Sequence, residues 1–397
     1  MAALTHRFAP RHIISNLPTQ ASYSDLYQPT YPDIAALESA IEEVQKQRPL
    51  IRDIAEVHAL RNRLAKLHAK GFVVVSGWCS EPYATRTADE MASFAMRDLS
   101  AVATGLAAAD FDIGNSLHIR RLGQAIKPRS SENEVINAQR VASYMGDGIN
   151  SIDSADRTPD PRRMVALADF AQQEHRALSA QAHTSIITAS EQLLLPYTLA
   201  QVVVSDGQEY LSSAHLPWIG ERTNAAPGRD RSDNPHVRAL QGIVNPVGVK
   251  LGPSATANQI AWLTDQLNPG AETGKLVYML RIGGDTASLE RVAAAIREYA
   301  PQSLVLYDIH GSTLNRDGWK VRSVETTVQH ALLAHRALQS HGLRLHGVHI
   351  ESSGVDDLRE CVETPDQLPT DKPLVDPLFN PEQLQAIVHG AAVGLAS

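Results

Sequence analysis

The sequence is short of cysteine, of positive charge and of long apolar runs. Cys79 and Cys361 are the only cysteines in 397 residues. That excludes a disulfide framework and fits a reducing compartment, with the cytoplasm as the expected location. No stretch approaches the roughly eighteen consecutive apolar residues of a membrane-spanning helix. The net charge is −8 and the pI about 6.0, so the basic surplus of a dedicated nucleic-acid binder is missing. A local cluster of Lys and Arg can still oppose the global sign and hold a small anion. Internal repeats and low-complexity tracts are also missing. With 43% hydrophobic and 20% charged residues, disorder, collagen and coiled coil are excluded as the main state. A chain of this length buries a large core unaided.

Residues 1–32 are rich in Pro, Tyr and Ser and read as an irregular arm. The first acid is Asp25, so a weak organelle transit signal is the alternative reading. From Asp33, the residues Ile34, Leu37, Ile41 and Val44 share one helical face, and Pro49 stops that helix. A second helix carries Leu60, Leu64 and Leu67 and ends at Gly71.

Then strands begin. Phe72–Ser76 and Leu117–Ile119 are the first two. Ser185–Thr188, Tyr210–Ser213, Val247–Val249, Leu276–Leu280, Leu304–Tyr307 and Gly347–Ile350 follow. Helices are expected near 87–106, 255–267, 285–299, 325–341 and 381–395. Strand–helix alternation argues for a parallel sheet. Eight units over roughly 320 residues predict an α/β fold, a (β/α)8 TIM barrel, with an N-terminal helical extension. The division expected is an arm with helices over 1–70 and a catalytic barrel over 71–397. A doubly wound open sheet is the alternative, but no GxGxxG follows the first strand.

In a parallel barrel the chemistry gathers at the carboxyl ends of the strands. Two residue sets lie there. Arg120, Lys127, Arg129, Arg222, Lys250 and Arg281 are cations, whose forks and point charges suit phosphate and carboxylate. So many cations at one mouth imply at least two anionic groups on the substrates. Cys79, His310, Glu351 and Asp376 offer a thiolate, an imidazole and two carboxylates, a donor set for Mn²⁺, Co²⁺, Fe²⁺ or Zn²⁺. Taken singly, Cys79 reads as buried filler, and Lys250 or Arg281 as a surface ion pair; it is the joint pattern at the strand ends that points to a site.

The stretches KPRS (127–130), WIGERT (218–223), NPVGVKLGP (245–253), IHGST (309–313), HIESSG (349–354) and DP (376–377) resemble the type II 3-deoxy-D-arabino-heptulosonate 7-phosphate (DAHP) synthases. The likeness is closest to the compact members of phenazine and other secondary pathways. It implies condensation of phosphoenolpyruvate with erythrose 4-phosphate and release of phosphate. It also implies a divalent metal, Mn²⁺ first and Co²⁺, Fe²⁺ or Zn²⁺ otherwise, on Cys79, His310, Glu351 and Asp376. Arg120, Glu221, Arg222, Lys250 and Arg281 match the phosphoenolpyruvate site; Lys127, Arg129 and Ser130 match the aldose phosphate site. Glu221, Lys250 and Arg120 are the expected catalytic groups, with Glu221 handling the attacking water. A homodimer is expected on the general frequency of symmetric dimers.

Three departures from the family pattern cluster at the metal and aldehyde. Trp78 precedes Cys79, Leu378 stands where the family has arginine, and Ile309 and Ser312 flank His310 and Gly311. A different aldehyde, such as an amino-sugar phosphate, is therefore an alternative, and a silent scaffold barrel is a second. The short stretch between strands two and three lacks room for the helix pair that binds aromatic amino acids in long members. Weak feedback inhibition is expected.

Overall fold

The computed structural model describes residues 4–17, 26–224 and 234–396. Eight parallel strands close into a barrel in chain order. They are β1 (Phe72–Gly77), β2 (Ser116–Arg121), β3 (Thr188–Glu191), β4 (Leu216–Ile219), β5 (Val247–Leu251), β6 (Leu276–Leu280), β7 (Leu304–Asp308) and β8 (Gly347–Glu351). β4 pairs β5, and β8 returns to pair β1.

The longer helices are α1 (Ile34–Lys46), α2 (Ile54–Lys70), α3 (Ala88–Ala108), α4 (Arg162–Ala182), α5 (Ala257–Leu267), α6 (Thr286–Tyr299), α7 (Val324–Ser340) and α8 (Pro381–Ala396). Their starts are written locally. Asp33 caps α1, and capping boxes open α2 (Asp53 with Glu56) and α3 (Thr87 with Glu90). Gly71 ends α2 in extended backbone, not in a left-handed cap. Its need for glycine is space, because a Cβ there would strike Leu67.

Side-chain alternation along each strand divides the core in two. Val73, Val75, Leu117, Ile119, Ala189, Leu216, Trp218, Val277, Met279, Leu304 and Leu306 face the barrel axis. Phe72, Val74, Val247, Val249, Leu276, Tyr278 and Val305 face the helices. Leu60, Leu64 and Leu67 of α2 join the axial cluster. Arg63 and Arg61 of α2 bond the carbonyls of Ser116 and Val244, at the strands' amino ends. So α2 closes the bottom of the barrel.

Three expectations need correction. The third strand starts at Thr188, three residues later than expected. The fourth barrel strand is Leu216–Ile219, not Tyr210–Ser213. Pro217 has no amide to donate, so the pattern reads as loop. It sits opposite Ser190 of β3 in the ladder. Gln208–Leu211 instead forms a hairpin with Val202–Ser205, which also pairs Thr5–His6 of the arm. The described part of the arm is therefore not irregular, since it also holds a short helix, Pro10–Ser15. Residues 1–3 and 18–25 of the arm lie outside the described residues.

Candidate active site

The same alternation sets which side chains reach the mouth. The last inward residues of the strands, or those just beyond them, are Gly77, Arg121, Glu191, Gly220, Lys250, Arg281, Asp308 and Glu351. Arg121 and Lys250 both lie over the Trp218 ring, at 5.3 and 5.8 Å. Gly248 makes room below them, because a Cβ would meet Trp218 and Met279.

Four loops add the rest. Cys79 follows β1, and His310 sits in a single 3₁₀ turn after β7. Asp376 comes from the loop before α8, which is zipped to the end of β8 by a bridge between Ser352 and Phe379. Glu221 and Arg222 open a one-turn helix after β4.

The four expected metal ligands converge. Donor atoms of Cys79, Glu351 and Asp376 all lie within 4.8 Å of one another. His310 Nε2 is 3.1 Å from Glu351 Oε1 and 3.9 Å from Asp376 Oδ2. Cys79 Sγ is 3.6 Å from Asp376 Oδ2. Burial, with Glu351 beside it, pushes the Cys79 thiol up. Burial also raises the Glu351 carboxyl, yet His310, Lys127 and Arg121 outweigh it and hold it well below the usual range. Burial and Glu351 oppose ionisation of Asp376, and His310, Lys127 and Lys320 overcome both. A buried thiol between two ionised carboxylates and an imidazole suits a divalent transition ion, which would also draw off the thiol proton.

The cations gather beside this cluster. A cleft of about 60 Å³ is lined by Lys127, Glu191, Glu221, Arg222, Lys250, Arg281, His310 and Asp376, among others. Lys250 Nζ is 2.6 Å from Asp308 Oδ2, and burial lowers its pKa. Arg281 forms a close ion pair with Glu221. Gly252 leaves the space that Glu221 fills. Arg222 donates to the Pro128 carbonyl at 3.1 Å, tying the WIGERT and KPRS segments together.

Three expected residues are not brought in. Arg120 points outward, and its side chain is fully buried against Asp98 of α3 at 2.7 Å. The inward residue is its neighbour Arg121, 3.0 Å from Glu351. Arg129 and Ser130 lie outside the cleft lining; Arg129 faces Glu134 at 3.6 Å. Three residues not foreseen are Arg121, Glu191 and Asp308, and counting strand parity finds all three. A separate cavity of about 220 Å³ lies between the arm, α1 and α4, away from these groups.

A profile of the class-II DAHP synthetase family matches residues 18–183 and 167–386. The chain belongs to that family. Its membership places it among the DAHP synthase enzymes. It is 30% identical to a probable phospho-2-dehydro-3-deoxyheptonate aldolase of Pseudomonas fluorescens, covering 90% of this chain and 92% of that protein. It is 28% identical to the phospho-2-dehydro-3-deoxyheptonate aldolase of Streptomyces coelicolor, over 86% and 87%. Among the described residues no helix is long and apolar enough to cross a membrane.

Proposed function

We propose that this chain joins phosphoenolpyruvate to erythrose 4-phosphate, giving DAHP and inorganic phosphate. The observation that carries the reading is one cleft holding four cations beside the Cys79, His310, Glu351 and Asp376 cluster. When bound there, a divalent ion, taken as Mn²⁺, would act as a Lewis acid on the aldehyde oxygen.

The chain's own residues do the rest. Lys127, Lys250, Arg222 and Arg281 bind and orient the anionic ends of the two substrates. C3 of phosphoenolpyruvate bonds to the aldehyde carbon as the C=O π bond opens and its oxygen takes up a proton. Water adds at C2 and gives up a proton, and the C2 hydroxyl loses its proton to become the ketone as the C2–O bond to phosphate breaks. The cations stabilise the departing phosphate. Glu221 is engaged with Arg281 and so orients that guanidinium. Glu191 and Asp376 are the other carboxylates of the cleft; Asp376 pairs with His310 and Lys320, whereas Glu191 has no ion pair among the described residues. Its charge favours the protonated form of Lys127, alongside Cys79 and Glu351, and of Lys250, where burial still lowers the pKa overall. Glu191 is therefore the group we assign to hold the attacking water and take its proton.

One observation favours a second aldehyde. Cys79 packs with Tyr144, Val375 and Leu378, against Trp78, so this wall of the site is apolar. Phosphate release from phosphoenolpyruvate, with Mn²⁺ and a panel of aldose phosphates, tests both readings. Release should require erythrose 4-phosphate and fail in Cys79→Ser. Glu191→Gln should lower kcat by about 10²-fold with KM for phosphoenolpyruvate little changed. Release with an amino-sugar phosphate alone would move the assignment to that aldehyde. A homodimer remains our expected assembly, read by light scattering.

A further inference from the structure

Each of three candidate ligands has a second atom turned away from the shared centre, and each of these is already taken. His310 Nδ1 lies 2.6 Å from Asp308 Oδ1. Glu351 Oε2 accepts from Arg322 at 3.1 Å. Asp376 Oδ1 accepts from Lys320 Nζ at 2.6 Å. Glu351 Oε1 also keeps Arg121 and Lys127 close, so Glu351 is held from both sides. Asp376 is different. Among the described residues, its Oδ2 is bonded or paired to Cys79 and His310 and its Oδ1 to Lys320, and no arginine holds it.

Lys320 and Arg322 come from one edge. The strands Leu314–Arg316 and Trp319–Val321 form a hairpin whose turn is Asp317–Gly318, both with positive φ. Residues two apart on a strand face the same side. The hairpin therefore delivers an ammonium and a guanidinium together onto the two carboxylates. Lys320 also donates to the Val375 carbonyl at 2.8 Å, fixing the backbone just before Asp376. Arg322 continues to the Pro377 carbonyl on the other side. The loop that carries Asp376 is thus gripped at both neighbours.

We propose that the hairpin Leu314–Val321 positions the metal centre, with Lys320 as its working residue. Lys320 occupies Asp376 Oδ1, so the carboxylate presents Oδ2 alone to the ion. Its charge also offsets part of the excess brought by one thiolate and two carboxylates. Such outer partners set ligand orientation and affinity. The inference rests on the reading of Cys79, His310, Glu351 and Asp376 as ligands. Lys320 is a positioning residue, because it reaches the ion only through Asp376.

The side chain of Lys320 is 43% exposed, so Lys320→Met can be made without opening a core. The metal-free full chain is titrated with Co²⁺, read by the thiolate-to-cobalt charge-transfer band, and with Mn²⁺, read by calorimetry. We expect Lys320→Met to bind both ions ten- to a hundredfold more weakly, with an unchanged melting temperature when metal-free. Lys320→Arg should recover most of the affinity, since it restores a cation at the same oxygen. Equal affinities in wild type and Lys320→Met, with a clear band in both, would overturn the role of the hairpin alone. A wild-type band that is absent, or that survives Cys79→Ser, would overturn the ligand reading and this inference with it.

Discussion

Arg120 and Arg121 are neighbours with the same side chain and opposite surroundings. Arg120 meets Asp98 in a fully buried pair behind the barrel wall, and Arg121 meets Glu351 inside it. Removing one partner of a buried pair strands the other charge and costs about 3–5 kcal/mol. Arg120→Met should therefore lower the melting temperature markedly. Arg121→Lys should leave the fold intact and cut turnover at least tenfold, because an ammonium cannot keep the bonds to both Glu351 and the Cys79 carbonyl. Thermal denaturation and steady-state kinetics on the two variants separate the roles; the reverse pattern would place Arg120 in the mouth. Motif likeness leads to this pair of arginines, but only strand parity chooses between them. The proposed ligands Cys79, His310, Glu351 and Asp376 were legible as a set, because each sits in or beside a stretch that resembles the family pattern. Glu191 and Asp308 were not, since a lone acid at a strand end has several ordinary readings.

Among the elements, six barrel strands were legible as short apolar-rich runs, and the longer helices except α4 as periodic faces. What failed was β3, placed three residues early, β4, hidden by Pro217, the helix α4, and three hairpins outside the barrel. The turns Asp206–Gly207 and Asp317–Gly318 both have positive φ, the backbone that Asp-Gly supplies at least cost. Those dipeptides were visible in the sequence, but an eight-unit count left no place for extra strands. A further element-level feature is the seam below β5 and β6. Lys275, just before β6, donates to the carbonyls of Ile243 and Asn245. Burial, helped by Arg61, lowers its pKa from 10.5 to about 7. Between these values the unfolded chain holds a proton that the folded chain has released. Stability from this site should therefore rise with pH through that window. Melting curves from pH 7 to 10 should show this slope in the wild type and a shallower one in Lys275→Met.

At the level of the whole molecule, the stretch from 122 to 187 holds one hairpin (Asn133–Ile136 with Gln139–Ala142) and the single long helix α4. No helix pair is present there. Added Phe, Tyr or Trp should leave turnover within twofold of the uninhibited rate; strong inhibition by any of them would show a regulatory site elsewhere.

The plug made by α2 has a consequence for traffic. With Leu60, Leu64 and Leu67 sealing the far end, the barrel is a blind alley with its door at the carboxyl ends of the strands. In the proposed reaction both substrates would arrive through that door, and both products would leave by it. Phosphate set free in the depths would have to pass the cations proposed to hold it, so each departure would compete with the next arrival.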